Sequence, residues 1–255
     1  MDSGVGSLGD DARSPLATPR DAEEISWHLQ PKRGKLYRVK LLRIMWVGMI
    51  VPFAGLGAAM VDQLSVQDVK TLQTGRQVVQ TEKVEGLPWP RFSIYQVVKA
   101  KPEEAIAVFF DYNNARDFIP NVKLSEISRQ ISASSQEVSY SVDVPILADE
   151  CYTTRNSLSS DGDTYRIQWT LLKATSMKST EGCFTAEPMG DGQCLIRYRN
   201  LVDPGSKFAG VMRGFASKQI VATVAAIAEE IESQKATKPA ELQQKVERLQ
   251  TALQP

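Results

Sequence analysis

Histidine is nearly missing. His28 is the only one among 255 residues, and it lies in a polar N-terminal stretch. A Ser-His triad, a Cys-His dyad and a His-ligated metal are therefore excluded from the folded body. Cysteine is scarce as well. Cys151, Cys183 and Cys194 match neither a CxxC pair nor a zinc knuckle. No metal and no cofactor is expected. An excess of either charge is also lacking, because 30 basic residues cancel 30 acidic ones. No global field then recruits nucleic acid or acidic lipid, so no nucleic-acid partner is expected. What is present, 42% hydrophobic and 24% charged residues, is ordinary globular composition.

Residues 1–40 have no apolar period and are rich in Gly, Ser, Asp, Pro and charge, the composition of a disordered leader. Val39, taken as an alternative initiator, would open Met-Lys-Leu-Leu-Arg-Ile-Met-Trp, a typical bacterial signal opening, and would leave that leader untranslated. Lys32, Arg33, Lys35, Arg38, Lys40 and Arg43 precede Ile44–Val61, a run of 18 residues without a charge. Gly57-Ala58-Ala59 supplies the small residues that signal peptidase requires. Residues 41–60 thus read as a secretory signal. The alternative is an uncleaved anchor that contacts the membrane, although Pro52 and three glycines make a poor straight span. A buried core helix is disfavoured, because the run is apolar on all faces. Either of the first two readings makes the rest of the chain exported: periplasmic, or membrane-anchored facing the periplasm.

Residues 62–235 carry the folded domain. Ser65 caps a short helix, Val66–Leu72, that ends at Gly75. Arg76–Val84 reads as a strand. Phe92, Ile94, Gln96 and Val98 alternate with Ser93, Tyr95, Val97 and Lys99, as in a strand covered on both faces. Pro102, Glu103 and Glu104 open a helix to about Tyr112, and Ala115–Ile119 forms a second short one. The period then becomes two. Lys123–Ser132, Glu137–Val144, Glu150–Ser159, Thr164–Leu172, Ser179–Glu187 and Gln193–Val202 are strand candidates, most of them separated by turn residues. Short connections predict an antiparallel meander. Tyr165, Ile167, Trp169 and Leu171 share one face, and Arg166, Gln168 and Thr170 the other, so one face is packed and one is wet. Ser206–Ser233 has no proline and carries an apolar stripe at helical spacing. Such a helix spans roughly 40 Å and can cross a concave sheet. The three thiols are expected to be reduced and mostly buried, because bridging two strands away exceeds disulfide reach. The tail, residues 236–255, holds a short helix with Leu242, Val246, Leu249 and Leu253 in a seam. Two turns of heptad are too few for a coiled coil, so a loosely attached helix is expected.

This order of elements resembles the helix-grip fold of the START/Bet v 1-like (SRPBCC) superfamily, and within it the polyketide cyclase/dehydrase and lipid-transport group. The residues that carry the resemblance are Ala107-Val108-Phe109-Phe110-Asp111-Tyr112, Asp117-Phe118-Ile119-Pro120-Asn121-Val122-Lys123, and the corner from Val142-Asp143-Val144-Pro145 to Asp149-Glu150. The resemblance covers about residues 90–233. It implies an α+β fold with a curved antiparallel sheet of about seven strands wrapped round a long C-terminal helix. It also implies a cavity between sheet and helix. Its expected lining is Val138, Tyr140, Val142, Tyr165, Ile167, Trp169, Phe184, Tyr198, Phe208, Val211, Met212 and Phe215. The loops near Gly86–Trp89, Ile146–Ala148 and Pro204–Phe208 would gate it. Apolar period alone cannot separate a hollow core from a filled one.

No residue emerges as catalytic. Asp149 and Glu150 are adjacent, so on a strand they point to opposite faces and cannot act as a pair. Asp111 reads as a helix-end residue. Arg155, Arg197 and Arg199 are expected on the wet face, since arginine is rarely buried unpaired. The expected function is binding or transport of a lipid or other hydrophobic small molecule. Two alternatives stay open: a polyketide cyclase/aromatase-like enzyme that moves protons through Tyr or Arg, and a non-catalytic protein-interaction domain with a filled core.

Overall fold

The computed structural model describes residues 59–144, 148–205 and 209–254, apart from the side chain of Val211. The leader, almost all of the 41–60 segment, Phe208 and most of the Ile146–Ala148 loop lie outside the described residues. All described residues belong to one unit, and none of its helices is long and apolar enough to cross a membrane.

A 3-10 turn, Met60–Gln63, leads into α1, Val66–Gln73. Ser65 Oγ accepts from Asp68 N at 3.1 Å and Asp68 returns the bond to Ser65 N at 3.3 Å, a reciprocal cap that fixes where α1 begins. Gly75 ends it at φ +77°, a conformation that costs glycine nothing. The strands are β1 Val78–Glu82, β2 Arg91–Val98, β3 Val122–Gln130, β4 Ser135–Val142, β5 Glu150–Asp161, β6 Thr164–Ala174, β7 Ser179–Gly190 and β8 Gln193–Asp203. They form one antiparallel sheet in the order β1-β2-β8-β7-β6-β5-β4-β3. Between β2 and β3 the chain crosses the sheet through α2, Pro102–Phe110, and a 3-10 segment, Tyr112–Asp117. The long helix α3, Ala209–Thr237, and then α4, Pro239–Ala252, complete the chain. This is the helix-grip fold. The sheet has eight strands rather than about seven, because Val78–Glu82 pairs in register with Arg91–Tyr95 and extends the edge.

Both faces of β2 are covered. Ile94 and Val98 point into the main core, while Tyr95 packs outward with Met60, Leu72, Val78 and Leu195. Inside the sheet's curve, α2 contributes Ile106 and Val108, and the second half of α3 contributes Val224, Ile227 and Ile231. Polar contacts strap α3 along its length. Trp89 Nε1 donates to Ala209 O at 2.6 Å, Gln219 Nε2 to Pro120 O at 3.0 Å, and Lys99 N to Glu232 Oε1 at 2.9 Å.

The last helix corrects one expectation. α4 is not loosely attached: Leu242, Val246 and Leu249 are buried in the main core against α2. Each fully buried side chain of this kind contributes about 1.5–3 kcal/mol. Lys245 Nζ meets Asp111 Oδ2 at 2.8 Å and Gln234 Oε1 at 2.9 Å, which fixes the angle at which α4 folds back. Asp111, the helix-end residue of α2, thereby anchors the tail. Leu253 is partly buried at the edge of the same core. The seam of four leucine-like positions is therefore an intramolecular one.

Candidate ligand cavity

The concave side of the sheet is filled at one end and hollow at the other. At the filled end Val138, Leu158, Ile167, Phe184 and Ile196 meet α2 and the second half of α3 without space between them. At the other end, where Val142 pairs with Glu150 and Ser179 with Asp203, lies a cavity of about 620 Å³. The first half of α3 and the Tyr112–Pro120 passage close it from above.

The boundary between the two halves is aromatic. Phe109 of α2 stacks on Phe184 with ring centroids 4.5 Å apart, and Trp169 lies 5.2 Å from Tyr198. Trp169 pairs across the ladder with Gly182. A Cβ at position 182 would collide with the Trp169 indole and with the Arg199 carbonyl, so only glycine lets the indole lie flat over β7. Past that boundary, the inward positions on β5, β7 and β8 include Thr154, Asn156, Thr180, Asn200 and Val202, none of them large. Opposite them α3 offers Ala209, Met212 and Thr223. The small side chains on β5, β7 and β8 leave the volume that the filled end lacks.

Two polar pairs stand in an otherwise apolar wall. Thr154 Oγ1 donates to Asn156 Oδ1 at 3.1 Å, and Thr180 Oγ1 donates to Asn200 Oδ1 at 3.2 Å. Tyr112 Oη is buried with no partner at hydrogen-bonding geometry. The Asn156 amide is the polar group closest to offsetting its burial. Tyr140 and Tyr152 stack at 5.1 Å on the β4–β5 wall. Burial pushes Tyr112, Tyr140 and Tyr198 well above the ordinary phenol range and Tyr152 to about 12. Charge is confined to the rim. Glu150 accepts from Ser176 N at 3.0 Å, from Met177 N at 3.2 Å and from Ser176 Oγ. Asp149 is held by Lys123 at 2.8 Å, and Lys123 also reaches Asp143 at 3.0 Å. The hydrogen bond it donates to Asp149, followed by the one to Asp143, holds the Lys123 ammonium above its usual range. Among the described residues the lining contains no lysine, arginine or histidine.

Of the residues expected to line a cavity, Tyr140, Val142, Trp169, Tyr198 and Met212 do so. Val138, Ile167 and Phe184 are instead sealed into the filled end, and Tyr165 packs against its margin. Phe215 is half-buried on α3 and is not part of the wall. Phe208 and the side chain of Val211 lie outside the described residues. Among the expected gates, Trp89, Ala148 and Pro204 are at the mouth. Sequence reasoning passed over Tyr112, Tyr152, Thr154, Asn156, Thr180 and Asn200. The signal was there: Tyr152, Thr154, Asn156 and Leu158 keep period two along β5, so the polar residues between the apolar ones share their inward face.

The other side chains behave as surface or scaffold groups. Arg155 pairs with Glu137 at 2.8 Å and Arg199 with Glu82 at 3.5 Å, both on the outer face. Arg197 is on that face too but is buried, against expectation. It meets Gln63 Oε1 at 3.3 Å beside a second, polar cavity of about 410 Å³ under Ala59–Gln63. No disulfide forms among the described residues: Cys183 and Cys194 are buried, whereas Cys151 is exposed, contrary to expectation. Cys151 is exposed because it alternates with the inward Tyr152 on β5.

Solved structures share this architecture. The STAR-related lipid transfer protein of Xanthomonas axonopodis (residues 25–204) superposes with a TM-score of 0.55 at 17% identity, covering 61% of this chain and 93% of that one. Human STARD10 superposes with a TM-score of 0.53 at 17% identity, covering 69% of this chain and 85% of that one. The chain therefore has a START-like fold. No family model matches the sequence, and no curated protein matches it.

Two measurements check the cavity. Gly182→Val should displace the Trp169 indole and cost about 1–3 kcal/mol in denaturant unfolding, the usual penalty for overpacking. Unchanged stability and unchanged tryptophan fluorescence would contradict the packing described. The second is an alkaline titration followed by phenolate absorbance. A phenol whose folded pKa is raised binds its proton more tightly when folded, so its contribution is intact below about pH 10 and is lost as pH climbs past the unfolded value. Tyr112, Tyr140, Tyr152 and Tyr198 should stay protonated near pH 10 and then ionise together as the domain unfolds. Gradual ionisation of all tyrosines in a folded domain would contradict their burial.

Proposed function

We propose that this chain is an exported binding or transfer protein for a lipid or other apolar small molecule, which it encloses between β3–β8 and the first half of α3. One observation carries the reading: the concave face is hollow for about 620 Å³ behind a mouth, and the walls are mainly aromatic and aliphatic. A pocket of this size and composition suits a small apolar ligand. Emptying an apolar volume inside a core forfeits stabilising contacts, so a void this large is consistent with an occupant. The lipid-transfer name of the Xanthomonas relative agrees with the reading. Export rests on the basic, apolar and small-residue succession of residues 32–61. Binding then consists of enclosure, with Trp89, Ala148 and Pro204 at the point of access.

Native mass spectrometry of the full chain, purified from cells that produce it, tests this. An apolar adduct of one molecule per chain is expected, extractable into solvent. The adduct should disappear in Val202→Trp, which fills the void from β8 and leaves the filled end untouched. A clean apo mass in repeated preparations, with no uptake from a lipid extract, would overturn the reading and favour an interaction domain.

A further inference from the structure

From the wall's polar groups we infer that the ligand carries an uncharged head with a hydrogen-bond acceptor, a hydroxyl, ester or ketone, and that anionic lipids are rejected. This rests on the carrier reading. Three features of the cavity support it.

The first is which atoms are left over. In both asparagines the carbonyl oxygen is already occupied, by Thr154 for Asn156 and by Thr180 for Asn200. The other end of the Asn156 amide faces the Tyr112 and Tyr140 phenols, whose own O–H protons then seek an acceptor. Tyr112 Oη, fully buried and unpartnered, adds a hydroxyl at the same depth. A buried donor without a partner is costly, so a ligand acceptor placed there is rewarded.

The second is what the cavity lacks. Among the described residues no cation lines it, and the rim's Lys123 is committed to Asp149 and Asp143. A carboxylate or phosphate inside would lose water without gaining a counter-charge, which is costly. Among the described residues of the lining, Glu150 adds an acidic charge at the rim, which repels an approaching anion.

The third is position. β5 runs from Glu150 at the mouth, past Tyr152 and Thr154, to Asn156 one inward step before the sealed Leu158. Val142, Val202, Pro204 and Ala209 lie toward the mouth. The head is thus held at the floor and the apolar body fills the outer part.

Two probes with one fluorescent acyl chain test the inference on the full chain: an NBD-labelled fatty acid and its glycerol monoester. At about pH 8 the acid is ionised and the ester is neutral. The ester should bind at least about tenfold more tightly, a difference of ~1.4 kcal/mol. Asn156→Leu should lose most of that preference while the thermal transition stays cooperative. Asn200→Leu serves the same purpose if the first variant folds poorly. Equal or tighter binding of the ionised acid would overturn the inference and leave the carrier reading standing. Binding of neither probe would overturn the carrier reading itself, and the inference with it.

Discussion

The structure depends on one contact, the Trp169 indole lying across the backbone at Gly182. That contact divides the concave face. On one side of it, Phe109, Phe184 and Tyr198 complete a closed aromatic layer over a core of Ile167, Leu158 and the second half of α3. On the other side β5, β7 and β8 carry Thr154, Asn156, Thr180 and Asn200, too small to fill the space under α3. A void is tolerable only if the stability it forfeits is supplied elsewhere. Here the filled end supplies it.

Several elements act on that filled end together. α4 folds back on α2 and buries Leu242, Val246 and Leu249 in the same cluster as Val224, Ile227 and Ile231 of α3. Lys235 joins α3 to the start of α2 through Glu104 at 2.8 Å, and the same carboxylate accepts from Lys101 N at 2.7 Å. On the outer face, α1 and the Met60–Gln63 turn cover β1, β2 and β8. The sheet is thus clamped from both sides at its closed end. At the open end, Trp89 Nε1 to Ala209 O ties down the beginning of α3. Segments that open are drawn from the weakly packed part of a fold, and the hollow end is that part here.

Much of the fold was legible because its signals are local. Strand limits followed period two, the turns followed Gly190-Asp191-Gly192 and its like, and Ser65 announced α1. Two elements were misjudged for the same reason. The role of α4 depends on whether α2 offers a complementary face, and the total strand number depends on whether β1 finds an edge; neither is written in one segment. The cavity was half legible. Tyr140, Val142, Trp169, Tyr198 and Met212 were placed in the lining by the resemblance to the helix-grip fold, with apolar period marking the inward face. Ile167 and Phe184 share that period yet sit in the filled end, because depth along a strand decides between core and wall and periodicity does not report depth. Asn156 and Asn200 were missed because a polar residue in a strand reads as outward unless its register is counted from its neighbours, and Tyr112 because it opens a 3-10 segment that has no strand period.

The central claim is that the concave face is half filled and half hollow. Methyl NMR of the full chain, titrated to equimolar with the neutral apolar probe N-phenyl-1-naphthylamine, tests it most directly. The account predicts shifts at Val142, Val202, Ala209 and Met212, with Ile167, Val224, Ile231 and Leu249 unmoved. Absence of any shift, or equal shifts in both groups, would contradict it.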